Sequence, residues 1–168
     1  MATFVSDYRA ILSQIGEAVF RERFFTSVLI GRDVLGELVQ RPFNRKTAIL
    51  HVDELAQAQT FDKLSDRVWP LRRQPGSAHQ HIAVGRAAEN DVVIPEHSIS
   101  GNHCIFASEL NSLAIEDLGS LNGTMVGDIR IEPRTRVRLV SGEVITLGRY
   151  QFSFFTGQEF LNYLRESE

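Results

Sequence analysis

GRAAENDVVIPEHSISGNH, residues 85–103, decides how the chain is read. A short apolar run, HIAVG (81–85), stops at Gly85. A second, DVVI (91–94), follows the turn residues Glu89-Asn90-Asp91. A third, HCIFA (103–107), begins straight after Ser100-Gly101-Asn102. Runs this short are too brief for helices, and their β-branched content and turn-forming borders predict strands. The pattern continues downstream through SLAIED (112–117), MV (125–126), DIRI (128–131), RVRLV (136–140), EVITLG (143–148) and YQFSFF (150–155). Gly-Ser-Leu-Asn-Gly, Val-Gly-Asp and Ser-Gly-Glu punctuate it. Upstream, RVWPLRR (67–73) adds a strand whose Pro70 suits a sheet edge. Many short strands at regular spacing predict a β-sandwich or barrel.

The flanks differ. Residues 7–23 place Tyr8, Ile11, Leu12, Ile15, Val19 and Phe20 on one helical stripe that Asp7 can cap. FFTSVLIG (24–31) reads as a strand, DVLGELVQ (33–40) as a short helix, TAILHV (47–52) as a strand and DELAQAQTFDKL (53–64) as a helix. The tail GQEFLNYLRE (157–166) returns to helical spacing. Three parts are expected: a helix-rich accessory region over 1–66, a sandwich over 67–156 and a helical tail over 157–168. The stripe of the first helix is expected to pack within the chain, since no heptad seam accompanies it. On this division, a chain lacking 1–66 should still fold.

Composition narrows the function classes. The 168 residues are 43% hydrophobic and 23% charged, as in chains that bury a core, and the net charge is −3. No basic face stands out in these totals, so no nucleic-acid partner is expected. A single cysteine, Cys104, permits no internal disulfide and fits a reducing compartment. No secretory signal or membrane-length apolar run is visible, and a cytoplasmic location with no membrane insertion is expected. No glycine-rich nucleotide loop, zinc motif or acid pair is present. His79 and His81 share a strand face without further ligands at metal spacing. Arg134, Arg136 and Arg138 alternate, as on one face of a strand.

Function in a sandwich concentrates on loops at the ends of its sheets. Three loops carry Gly85-Arg86, Ser100 to His103, and Gly119 to Thr124. Together they offer a guanidinium, hydroxyls, an amide and tight glycine turns. This is a set of hydrogen-bond donors, suited to holding a phosphate rather than breaking a bond. Asn122-Gly123 is also a strong hairpin signal in its own right.

The run GRAAENDVVIPEHSISGNH, then DLGSLNGTMVGDIRI, then the strands around LVSGEVITLG, resembles the forkhead-associated (FHA) domain over about residues 67–156. Three Gly-Arg pairs occur, at 31–32, 85–86 and 148–149, but only Arg86 is followed by NDVVI and then Ser-x-x-His. The resemblance implies a mainly β fold, an eleven-stranded sandwich, and a non-enzymatic reader of phosphothreonine peptides. It implies that Arg86 and Ser100 hold the phosphate and that Asn122 holds the ligand's backbone just beyond the phosphothreonine. Gly101 and Leu121 occupy neighbouring binding positions. Gly85, His103, Gly123 and Thr124 shape the loops. The implied partner is a phosphothreonine-containing protein, a Ser/Thr kinase or its substrate, and no cofactor is called for.

Two positions depart from the family pattern. Gly101 stands where Arg, Lys or Asn is common, and Leu121 stands where a polar residue is common. Each absent contact is worth about 1–3 kcal/mol. A degenerate scaffold for phosphate-independent assembly or self-association is therefore the second reading. The third is an enzyme built on His103 and Cys104, which requires an exposed, acidic thiol.

Overall fold

A computed structural model describes residues 3–34 and 64–166. The strand expected at 47–52 lies outside the described residues, as do 35–40 of the helix expected at 33–40 and 53–63 of the helix expected at 53–64; residues 33 and 34 belong to β1 and not to a helix. Helix α1 spans Val5–Phe24, and β1 spans Val28–Val34. Then follow β2 (Val68–Pro70), β3 (Ile82–Gly85), β4 (Val92–Val93), β5 (Cys104–Glu109), β6 (Ser112–Asp117) and β7 (Thr124–Val126). The chain continues through β8 (Ile129–Arg130), β9 (Arg136–Arg138), β10 (Val144–Leu147) and β11 (Tyr150–Phe155), and closes with helix α2 (Gly157–Arg165). The strands form a six-stranded sheet in the order β2-β1-β11-β10-β7-β8 and a five-stranded sheet in the order β4-β3-β5-β6-β9. The expected mainly β sandwich is present among the described residues, but only ten of its strands lie within the expected span of 67–156; the eleventh is β1, from the N-terminal region.

Alternation along the strands builds three layers. Leu29, Trp69, Phe152 and Phe154 point between the sheets and meet Val84, Phe106 and Ile115 from the opposite face. Trp69 packs edge-on against Phe152 at 5.4 Å. Their strand neighbours Val28, Ile30 and Val68 point outward and are covered by Val5, Tyr8 and Phe20 of α1 and by Phe160, Leu161 and Leu164 of α2. The helical stripe is thus buried within the chain, against the outer face of the six-stranded sheet. Pro70 lies on the edge strand β2, where its missing N–H leaves no ladder bond unmade.

Three local expectations change. Asp7 does not stand at the N-cap: it sits three residues inside, and its carboxylate accepts the N–H groups of Phe4 and Thr3 at 2.9 and 2.8 Å. Those hydrogen bonds hold its carboxyl below the usual range. Helix α1 breaks its helical backbone at Gly16, whose φ of 75° is a left-handed value that glycine takes without strain. Arg134 precedes β9 rather than extending it, while Arg136 pairs with Glu116 at 3.1 Å.

The boundary expected at 66/67 is crossed by β1. This strand lies between β2 and β11, with Leu29 fully buried in the inter-sheet core. Removing 1–66 strips β11 and β2 of their shared neighbour. A chain starting at residue 67 is expected to lose its cooperative thermal transition, whereas Leu29→Ala in the full chain should cost about 2–5 kcal/mol. Circular dichroism melting of the two variants checks both outcomes.

Candidate functional site

The three loops meet at one end of the sandwich because backbone hydrogen bonds lace them together. Arg86 N–H donates to Ser100 O at 2.9 Å, and Ala87 N–H donates to Gly101 O at 3.1 Å. This close approach explains Gly85: a Cβ there would lie 2.1 Å from the Gly101 carbonyl oxygen. Asn90, buried beneath the first loop, donates its amide to Ala87 O at 2.9 Å and to Gly101 O at 2.6 Å.

His103 joins the second loop to the third. Its Nδ1 accepts the Ser100 N–H at 3.0 Å, so the ring proton resides on Nε2. That N–H faces Gly123 O and Thr124 Oγ1, each at 3.1 Å. Thr124 in turn donates to Asp117 Oδ2 at 2.6 Å. Asp117 then folds the third loop around itself, accepting Gly119 N–H at 2.8 Å, Ser120 N–H at 2.9 Å and the Ser120 hydroxyl at 2.6 Å. Gly123 closes the turn by donating to Ser120 Oγ at 3.0 Å, with a φ of 84° that favours glycine.

Burial pushes the His103 pKa down, against the opposing pull of the Asp117 charge. Burial alone would raise Asp117, but its hydrogen bonds from Ser120, Thr124 and Gly119 outweigh this and hold it low. The buried centre is therefore a neutral imidazole beside a carboxylate.

The outward-facing groups are the donors expected from the sequence. Arg86 is exposed, and its Nε donates to Ile99 O at 3.2 Å, which anchors the guanidinium and leaves its terminal N–H groups outward. Ser100 Oγ accepts Leu121 N–H at 3.0 Å, so its own proton stays available for donation. Asn122 donates to Ser98 O at 2.9 Å. Gly101 has open space, its added Cβ meeting only Ala87 Cβ at 3.7 Å. Leu121 is 86% exposed. All nine expected residues thus lie on these laced loops or directly beneath them, with His103, Gly123 and Thr124 buried. Asn90 and Asp117 belong to the same network and were not expected there. For Asp117 the signal was the alternation of SLAIED, which puts it on the same inward face as Ile115, directly before a glycine-rich turn.

A Cys–His nucleophile does not form. Cys104 is wholly buried and burial raises its thiol pKa, while the His103 ring is spent on the neighbouring loops. His79 and His81 stack at 5.0 Å, and no cluster of three metal-ligating side chains occurs among the described residues. No helix among them is long and apolar enough to cross a membrane.

A family model described as the FHA domain matches residues 82–148. An FHA domain-containing protein of Arabidopsis thaliana is 40% identical over 81 residues, covering 48% of this chain and 20% of that protein. The oxoglutarate dehydrogenase inhibitor of Corynebacterium diphtheriae is 34% identical over 73 residues, covering 44% of this chain and 49% of the relative. The chain thus spans no more than half the length of these curated relatives. Among solved structures, the FHA domain of an Arabidopsis thaliana hypothetical protein is 34% identical, covers 53% of this chain and 73% of that one, and superposes with a TM-score of 0.45.

A histidine with a depressed native pKa is protonated first in the unfolded chain. The unfolded state then binds more protons, so stability drops as pH falls from about 6.5 toward the native value, and the full contribution is present above 6.5. The denaturant midpoint should therefore fall below pH 6.5, and nitrogen NMR should show His103 as the neutral Nε2–H tautomer at that pH. A midpoint flat from pH 7 to 5 contradicts this.

Proposed function

We propose that this chain, whose residues 82–148 match the FHA domain, is a binding module for phosphothreonine peptides. The reading rests on one observation above all: Arg86 and Ser100 are bonded backbone to backbone, with the anchored guanidinium and the free hydroxyl proton on neighbouring loops. A planar guanidinium forks onto phosphate oxygens, and a hydroxyl proton adds a third donor. Asn122 retains one amide N–H and its carbonyl oxygen for the peptide backbone after serving Ser98. The module acts by recruitment and not by catalysis, bringing a partner marked by a Ser/Thr kinase to whatever else the protein carries. Because the loops are tied to each other before any ligand arrives, little ordering entropy is lost on binding.

Phosphate-independent assembly is the second reading, and the exposed Leu121 side chain favours it. The two separate by phosphate dependence. In fluorescence anisotropy with a degenerate phosphothreonine peptide library, the parent should bind and the unphosphorylated library should not. Arg86→Ala should weaken binding roughly ten- to a hundredfold, the loss of charge-assisted bonds worth about 1.5–3 kcal/mol. Equal affinity for both libraries, unaffected by Arg86→Ala, would favour assembly instead.

The open space at Gly101 gives a gain-of-function test. Gly101→Arg should fold normally and tighten phosphopeptide binding roughly two- to fivefold, as expected of one more exposed charge pair. Isothermal titration at low and high salt checks this, since the gain should shrink as salt rises.

A further inference from the structure

The edge strands β2 and β4 of the two sheets border a cleft of about 510 Å³, on the flank opposite β8 and β9. Its lining includes none of Arg86, Ser100, Gly101, Leu121 and Asn122. The walls are chiefly apolar: Trp69, Val92 and Val93 come from the strands, and Tyr8 and Phe24 from α1.

Two features of this cleft lack an acceptor. The first is an indole. Trp69 is only 5% exposed, and its Nε1–H is shielded from water and has no hydrogen-bond partner among the described residues. A buried indole N–H ordinarily finds one. The six-membered edge of the ring faces β1, since a Cβ at Gly31 would lie 3.2 Å from Cζ3. Nε1 belongs to the other edge, so it turns away from β1 and toward the cleft. The second feature is cationic. Arg67 lays its guanidinium over the indole, 5.3 Å from the ring centre, and Arg72 stands exposed. Neither side chain makes an ion pair or a hydrogen bond among the described residues. The Arg72 charge reaches Tyr8, where it opposes the upward push of burial on the phenol pKa. Asp91, the acidic residue of the lining, spends its carboxylate on the N–H groups of Gln74 and Ala83, at 2.7 and 2.9 Å, and pairs with neither arginine.

We propose that this cleft is a second docking site, for a carboxylate side chain set among apolar residues in an unphosphorylated segment of a partner protein. The carboxylate takes the planar forks of Arg67 and Arg72. Drawing Arg67 off the indole face lets a carboxylate oxygen supply the acceptor that Trp69 lacks. The apolar neighbours in the segment cover Val92 and Val93, of which Val93 is 37% exposed. A phosphate suits the cleft less well, because its second charge holds water that apolar walls do not replace. The site stands apart from the phosphothreonine reading, since the two surfaces share no residue.

Trp69 is the only tryptophan in the chain, so its indole N–H gives one side-chain resonance that reports on this cleft. The test titrates the nitrogen-labelled full chain with a pool of short unphosphorylated peptides that carry a central Glu flanked by Leu, Val or Phe, and with the same pool carrying Gln. The indole proton should move downfield and saturate with the Glu pool, roughly three- to tenfold tighter than with the Gln pool, the range of an exposed charge pair with favourable geometry. Arg72→Glu should abolish that preference and Arg67→Gln should reduce it, while the amides of residues 85–87 and 98–101 stay in place. An indole resonance unmoved by both pools, or moved alike by both, overturns the inference. So does a shift produced by a phosphothreonine peptide and not by the Glu pool, which would make the cleft part of a phosphate reader, or by raising the protein concentration alone, which would assign it to a second copy of the chain. Thermal melting accompanies each variant. Arg72 is exposed and unpaired, so Arg72→Glu should melt with the parent and keeps the test decisive if Arg67→Gln loses stability with its stack on Trp69.

Discussion

A single buried imidazole holds the binding end of this sandwich together. His103 takes the Ser100 N–H on one nitrogen and gives its proton toward Gly123 O and Thr124 Oγ1 from the other. Each loop alone is a short polar turn with several available conformations. Bound to opposite sides of one ring, they become a single surface. Asp117 extends the tie, because the threonine that faces His103 also donates to this carboxylate, and the carboxylate gathers Gly119 and Ser120. Removing the ring leaves the Ser100 N–H without the acceptor it uses here and leaves Gly123 O with the Gly148 N–H alone, and an unmade bond of this kind costs more than the bond itself contributes.

The rest of the fold supplies rigid ground for that tie. The second loop leads directly into β5 and the third connects β6 to β7, so the imidazole also bridges the two sheets. The sheets are held by a core of aromatic and branched side chains between them, and by α1 and α2 over the outer face of one of them. At the loop end, Gly85 and Gly148 mark close approaches of neighbouring segments, since a Cβ at either would strike backbone atoms of Gly101 or Ser98. Tyr150, its pKa pushed up to about 12 by burial and by Glu96, helps seat the segment between β4 and Ser100.

The ten strands from β2 to β11 were legible because each is a short alternating run between turn formers, and alternation is a local property. The start of β1 was less so: Phe24 and Phe25 read as strand residues, yet Phe24 completes α1 and packs on Tyr8 across the helix. Helix or strand there is settled by what the ring packs against, which no local pattern reports. Membership of β1 in the sheet was hidden for a similar reason, since its pairing with β11 joins residues more than a hundred apart. The donors at the site were visible because Gly-Arg, Ser-x-x-His and Asn-Gly stand in a recognisable order. Asn90, Asp117 and Arg72 were not singled out, because a polar side chain declares its role only through burial, or through the absence of a partner.

The central claim, that a preformed and interlocked loop surface reads a phosphate, meets its most direct test in amide NMR of the full chain titrated with a phosphothreonine peptide. The account predicts shifts concentrated at residues 85–87, 98–101 and 119–123, saturating with the phosphopeptide and absent with its unphosphorylated twin, while the amides of β5 and β6 away from the loops stay in place. Identical shifts with both peptides, or shifts centred on the helical layer, would contradict it.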